Sequence, residues 1–213
     1  DLPDRAETAA RASRSVFQIL RSSKKIKLIG FLDNRINKGE TIDGYKCLGE
    51  FSDSLSYKKL GYKFITGIGS ERTFREKKEK ISSCNLEKND FVKILSNKSI
   101  IETNSESIKA GSLIFDNVFL GYEVKIGYLS LINTKTYVGH ETSIEDYCVV
   151  GPNCTICGNV KIKSFVYIGA GTTIKDHIEI CSNVLIGCGA VVTKSITKPG
   201  IYAGVPAKLI KDF

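Results

Sequence analysis

An aliphatic residue recurs at every sixth position from Ile108 to Val192 without a miss. The series runs Ile108, Ile114, Leu120, Ile126, Ile132, Val138, Ile144, Val150, Ile156, Ile162, Ile168, Ile174, Ile180, Ile186, Val192. A period of six fits neither a 3.6-residue helix nor a strand alternating on its own. It fits a chain that turns a corner every six residues, so that equivalent positions stack in successive coils. Four residues after each aliphatic the side chain is small or β-branched almost throughout, from Ser112 and Val118 to Val184 and Ala190. One large and one small inward position per hexad suit the crowded interior of a narrow solenoid. The repeat predicts a parallel β-helix built of hexapeptides.

A chain of 213 residues can hold one large or two small domains. No stretch approaches the roughly 18 apolar residues of a membrane span, and none near the start reads as a signal peptide. The expectation is a cytoplasmic protein with no membrane partner. The formal charge of +8 invites a nucleic-acid reading. The basic residues are scattered, however, and the densest run, 72–80, is interrupted or flanked by Glu71, Glu76 and Glu79. A solvated helix face is expected there, and no nucleic-acid partner. A moderately basic surface also suits polyanionic small ligands. Of the seven cysteines, Cys148 and Cys154 fall on the small inward position. Cys154 and Cys157 have the spacing of half a zinc ribbon, but no second pair or histidine cluster accompanies them. Neutral thiols in a reducing compartment are expected, with no metal and no disulfide.

The first dozen residues are rich in Ala, Arg and Asp and hold no Lys, Ile or Asn, which dominate the rest. This difference suggests a foreign, altered or substitute start. Helical spacing follows over about 7–22, carried by Ala9, Ala12, Val16, Ile19 and Leu20. A buried strand is expected over 27–32, then a turn-rich loop with Gly39 and Asp43-Gly44. A short helix at 53–60, a strand at 63–66 and a charged helix at 71–82 complete the pattern. Helices alternating with short apolar strands predict a small Rossmann-like α/β domain over 1–84, with parallel pairing the default. Its strand-to-glycine turns put ligand-accessible loops at the carboxyl ends of the strands. Residues 85–107 read as a transition in which 92–95 leads into the first coil. The β-helix domain spans 85–213, closed by a cap at 198–208 in which two prolines break the hexad.

Two histidines limit the choice of a base. His177, in Lys175-Asp176-His177, reads as a surface residue. His140 follows an inward aliphatic by two residues and should project outward near a corner. Asn133-Thr134 followed by Val138-Gly139-His140-Glu141 resembles the active-site segment of the hexapeptide acyltransferases. Within them it is similar to the branch of bacterial nucleotide-aminosugar N-acetyltransferases and sialic-acid O-acetyltransferases. Gly151-Pro152, Cys154 and Cys157-Gly158-Asn159-Val160 resemble the following coil. Ile168-Gly169-Ala170-Gly171 and Ile186-Gly187 with Gly189-Ala190-Val191-Val192 resemble the coenzyme A ledge, and Gly204-Val205-Pro206-Ala207-Lys208 the C-terminal signature. Gly30-Phe31-Leu32-Asp33-Asn34 and Gly67-Ile68-Gly69 resemble the nucleotide-binding domain. The likeness covers about residue 13 to the end.

The resemblance implies a homotrimer of left-handed β-helices with acetyl-CoA, as co-substrate, lying between neighbours. Carried over, His140 is the general base, Glu141 orients it, and the Gly158 amide stabilises the thioester oxyanion. Gly158 lies 18 residues after His140, one full coil of three hexads, which stacks it above the base. Asn133 and Thr134 would contact the sugar, and Asp33, Asn34, Gly67, Ile68 and Gly69 the nucleotide. Gly169, Ala170, Gly171, Gly187, Gly189, Ala190, Pro206 and Lys208 would hold coenzyme A. The ledge glycines have an equally plain reading as tight corner turns.

Relatives open with a glycine-rich, histidine-containing loop that holds the nucleotide phosphates. Here the stretch 7–16 has neither glycine nor histidine, and side chains there would block close backbone approach to a phosphate. Arg11 or Arg14 could substitute. The expected activity is acetyl-CoA-dependent N-acetylation of a nucleotide-linked 4-amino-4,6-dideoxysugar for bacterial surface glycans. O-acetylation of a sugar such as sialic acid, and a non-catalytic trimeric scaffold, are the alternatives.

Overall fold

The computed structural model describes Val16 and residues 26–213. The helix expected over 7–22 and the phosphate-loop stretch 7–16 therefore lie outside the described residues, Val16 excepted.

Residues 94–203 form a three-sided parallel β-helix whose strands are mostly two residues long. Between the two ends of the solenoid each strand hydrogen-bonds to the strand 18 residues ahead, as Tyr137–Val138 does to Thr155–Ile156. The first face runs Ile94–Leu95, Leu113–Ile114, Leu131–Ile132, Val149–Val150, Val166–Ile168, Val184–Ile186 and Gly200–Ala203. The second begins at Ile100–Ile101 and ends at Val191–Val192, and the third runs from Lys125–Ile126 to Glu179–Ile180. The aliphatic of every hexad points inward into one continuous core, with most members at 0–1% exposure.

The repeat starts one coil earlier than its unbroken spacing indicates. Ile94–Leu95 and Ile100–Ile101 already pair with the coil above, and Ile108 bridges to Ile126. The stretch 85–107 is thus not wholly a transition: Leu95, Ile101 and Ile108 are the inward aliphatics of a first coil, disguised by a seven-residue step between the last two. At the other end Gly200–Ala203 adds a last parallel strand, and Lys208–Lys211 folds back on it antiparallel as the cap.

The small inward position is frequently a hydroxyl or thiol, and the structure gives the reason. Ser130, Thr136, Thr142, Cys148 and Cys154 each donate to a carbonyl 15 residues ahead, at 2.7–3.1 Å. Several also accept an amide 18 residues ahead, as Thr142 Oγ1 does from Val160. These side chains satisfy corner backbone that would otherwise be buried unpaired. Burial pushes the Cys148 thiol up to about 12 and the Cys154 thiol up to about 11, so both stay neutral.

The N-terminal part packs on the outer side of the first face. Phe74, Ile65, Val92, Leu28 and Val16 meet Leu113, Leu131, Val149, Tyr167 and Leu185 there. Its regular structure is sparser than the sequence suggests. The strand expected over 27–32 is reduced to β1 (Phe31–Leu32). The turn-rich loop is instead a hairpin of β2 (Thr41–Ile42) and β3 (Tyr45–Gly49), closed by Asp43-Gly44 at φ +50° and +84°. β3 pairs parallel with β1 and antiparallel with β2, so the parallel default holds for one pair only. The 53–60 helix is present as a 3-10 turn, Phe51–Asp53, running into α1 (Ser54–Lys59). The strand at 63–66 shrinks to a single bridge from Phe64 to Phe91, and the 71–82 helix is regular only as α2 (Lys77–Ser82).

Lys77 of α2 is buried at 1% exposure and donates Nζ to the Leu129 carbonyl at 2.5 Å. Burial lowers it to about 7, with the Cys148 thiol nearby. The unfolded chain, with Lys77 near 10.5, binds the extra proton between those values, so this residue makes stability rise with pH above about 7. Between pH 7 and 9, below the range where the raised Cys148 thiol acts in the opposite sense, wild type should gain on Lys77→Met by up to about 1.4 kcal/mol per pH unit. Denaturant midpoints of both proteins across that window test this; parallel curves would refute it.

Candidate active site

A prism with six residues per side must turn sharply at each corner. The residue three past every inward aliphatic does so in the left-handed region, from Gly111 through Asn117, Glu123 and on to Gly189, at φ +55° to +74°. Glu141 is one of these, at φ +56°. The residue before it, His140, is thereby thrown outward on the corner between the second and third faces.

There His140 Nδ1 lies 3.0 Å from Glu141 Oε2, with the two side chains 59% and 51% exposed. A carboxylate accepting from Nδ1–H selects the tautomer whose Nε2 carries a free lone pair. That nitrogen lies over Gly158, one coil above. A Cβ on Gly158 would sit 2.6 Å from Nε2 and 2.8 Å from Cε1, so a glycine is what makes room for the ring. Asn159 completes the corner, its Nδ2 donating to Glu141 Oε2 at 3.4 Å. One coil below, the Tyr122 hydroxyl is pushed up by its hydrogen bond to Glu123 and by the nearby carboxylates of Glu123 and Glu141.

The Gly158 amide is open. Among the described residues it has no backbone acceptor, and a Cβ at Gly139 would lie 2.6 Å from its nitrogen. The equivalent pair on the next corner shows the contrast: Glu145 takes the place of Gly139, and its Oε2 caps the Ser164 amide at 3.1 Å. Gly139 leaves the Gly158 donor uncapped and able to meet an oxyanion.

The other sequence-selected residues occupy different ground. Asn133 and Thr134 are on the corner between the first and second faces, one strand away from His140. The Asn133 amide is already tied to the Val150 carbonyl at 3.1 Å. Gly169, Ala170, Gly171, Gly187 and Gly189 stack above them on that same corner. Gly171 and Gly189 supply its left-handed residues at φ +68° and +69°, and a Cβ at Gly169 would lie 2.5 Å from the Cys188 amide. The next coil thus requires glycine at 169, whereas Gly171 and Gly189 hold the conformation that Lys135 and Asn153 hold on the same corner. The Ala170 and Cys188 amides nonetheless have no backbone acceptor among the described residues. Ala190 is a correction: it is an inward residue at 0% exposure, so its side chain faces the core and not a ligand. The hairpin with Pro206 and Lys208 closes this corner from above, through Val191 N–H to Gly204 O and Ala207 N–H to Val191 O.

Asp33 is buried, and its Oδ1 accepts the Arg35 amide; the Asn34 side-chain Oδ1 accepts the Phe51 amide. Ile68 donates its amide to Thr66 Oγ1, and Gly69 packs against Val149, 3.3 Å from where its Cβ would be. These five residues, Gly67 included, belong to the part that covers the first face, away from the His140 corner. The sequence reading passed over Asn159 and Tyr122 as site members. Adding 18 to Glu141, or subtracting 18 from His140, would have found them. Among the described residues no cluster of His, Cys, Asp and Glu could hold a metal ion.

Residues 12–81 match the family model of the PglD N-terminal domain. No curated protein sequence matches the chain. Among solved structures it is similar to a histidine-to-asparagine mutant of the perosamine N-acetyltransferase of Caulobacter crescentus in complex with CoA and GDP-perosamine, at 20% identity and a TM-score of 0.81, over 94% of this chain and 93% of that one. The acetyltransferase domain of PglB from Neisseria gonorrhoeae, in complex with acetyl coenzyme A, is equally similar, at 20% identity and 0.81 over 95% and 96%. WeeI from Acinetobacter baumannii follows at 23% and 0.68 over 92% and 94%. The shared fold is a left-handed β-helix preceded by a small α/β domain.

Gly158→Ala should leave the fold intact, since the clash falls on an exposed ring that can swing into solvent. A crystal structure of the variant should show the imidazole rotated away and the 3.0 Å contact to Glu141 lost. A ring still in place would contradict this geometry.

Proposed function

We propose that the chain is an acetyl-CoA-dependent N-acetyltransferase acting on the amino group of a nucleotide-linked 4-amino-4,6-dideoxysugar. The observation that carries this reading is the His140–Glu141 pair with its free Nε2 over an uncapped Gly158 amide. In the proposed reaction His140 Nε2 takes a proton from the attacking amine as its lone pair bonds to the thioester carbonyl carbon. The carbonyl oxygen becomes an oxyanion held by the Gly158 N–H, a donor typically worth about 3 kcal/mol of barrier. Collapse re-forms the carbonyl, breaks the carbon–sulfur bond and expels the CoA thiolate, which recovers the proton from His140.

The ledge fits the long thiol arm of coenzyme A, because the stacked Ala170 and Cys188 amides are free to donate to its amide carbonyls. In one chain that ledge and His140 occupy different corners. A site that needs both calls for a neighbouring subunit, and this supports a reading as a homotrimer with acetyl-CoA between protomers. The division into a nucleotide-sugar domain over 1–84 and an acyltransfer domain over 85–213 belongs to the same proposal, with Asp33, Asn34 and Gly67–Gly69 on the nucleotide. Asn133 and Thr134 are assigned to the sugar, and Pro206 and Lys208 to coenzyme A. No helix among the described residues is long and apolar enough to cross a membrane. We assign the reaction to the cytoplasm, as a step in building surface glycans. Solved structures with this fold hold CoA and GDP-perosamine together, which supports a sugar amine as acceptor.

Thiol release from acetyl-CoA, with UDP-, dTDP- and GDP-linked 4-amino-4,6-dideoxysugars offered separately, tests the assignment beside His140→Ala. One nucleotide should turn over, and the variant should fall by about 10²–10⁴-fold. Turnover only with a hydroxyl acceptor would convert the reading to O-acetylation. Full turnover by His140→Ala would remove the base.

A further inference from the structure

His140 and Glu141 are both more than half exposed, so packing does not hold them. An exposed carboxylate on a flexible stem samples several rotamers, and a tautomer set by it is only as well defined as its position. What fixes the pair must be polar, and one described residue reaches both members. The Asn159 backbone amide donates to the His140 carbonyl at 2.9 Å. Its side-chain Nδ2 donates to Glu141 Oε2 at 3.4 Å. That same oxygen faces His140 Nδ1 at 3.0 Å, so one carboxylate oxygen is held from the ring and from the coil above.

The backbone does not by itself demand asparagine here. The corner position of Asn159, at φ +58°, is filled elsewhere by Glu123, Leu129, Lys135, Tyr147 and Phe165 at nearly the same φ. Asn117, Asn153 and Asn183 share the conformation, yet of these four corner asparagines only Asn159 donates its side chain to a carboxylate of the described residues. The chemistry of the side chain is also selective. A neutral amide anchors Glu141 without neutralising it, whereas a lysine would compete with the imidazole for its charge. A carboxylate would repel it.

We propose that Asn159 is a positioning residue for acyl transfer: it holds the Glu141 carboxylate so that the proton stays on His140 Nδ1 and Nε2 remains free over Gly158. This rests on the acyl-transfer reading above, but one of its readouts does not. Asn159→Gly keeps the left-handed corner and removes the amide; Asn159→Asp keeps the shape and sets a second carboxylate against Glu141. The chain has two histidines, so the imidazole ¹⁵N spectrum is simple, and His140→Ala assigns it.

The neutral wild-type His140 ring should read as the Nδ1–H tautomer. In Asn159→Gly and in Asn159→Asp it should shift toward a mixture while His177 stays unchanged. In the acetyl-transfer assay Asn159→Gly should lower kcat about tenfold, the worth of one oriented hydrogen bond, with KM for acetyl-CoA unchanged. Asn159→Asp should lower it further. A tautomer signature unaltered in both variants, or wild-type kcat in Asn159→Gly, overturns the proposal. Absence of acetyl transfer by the wild type would defeat the acyl-transfer reading instead, and the ¹⁵N spectra would still decide whether Asn159 positions the pair.

Discussion

Everything beyond residue 94 depends on the inter-coil hydrogen bond. A strand of two residues has no stability alone, and each survives because its amides and carbonyls meet strands 18 residues before and after it. Keeping that register around three corners requires the left-handed residue at each corner. A residue other than glycine in that conformation costs of the order of 1 kcal/mol, and here Leu129, Tyr147 and Phe165 accept it. What offsets the strain is visible at the same positions. The Tyr147 and Phe165 rings stack at 5.0 Å and 5° on successive coils, and Leu129 is fully buried under α2.

The geometry of the proposed active site follows from the same rule. A solenoid brings residues together by sequence separation, so each position has a fixed neighbour above and below. Glycine at 139 and 158 then reads as subtraction: two side chains are omitted, and a ring and a bare amide occupy the space. Where Glu145 stands in place of glycine, the amide above is capped and the corner is inert. The difference between a scaffold corner and the proposed reactive one is a matter of three or four side chains.

The β-helix was legible because its signal is long and each hexad repeats the same inward demand. The first coil escaped because one extra residue between Ile101 and Ile108 breaks the count, although hydrogen bonding to the coil above carries on across it. The N-terminal part was read less well for a related reason. Its strands are two to five residues long and its helices six, too short for local periodicity to mark their limits. Lys77 could not have been foreseen, since a lysine on a charged helix is ordinarily solvated and its burial is decided by the β-helix corner it lands on. Ala190 was chosen by motif position, and the core uses its side chain.

The extra residue near Ile108 also bears on how such a chain can change length. Between Ile108 and Val192 every partner is defined by a difference of 18, so an inserted or deleted segment of any other length would pair His140 with the wrong floor and the ledge glycines with the wrong corner. The interior is thus quantised in whole storeys, whereas the lowest storey, with no further coil beneath it among the described residues, can absorb a single residue. Changes in length are therefore expected as whole coils, at the two ends, or in loops that leave and rejoin a corner at the same point.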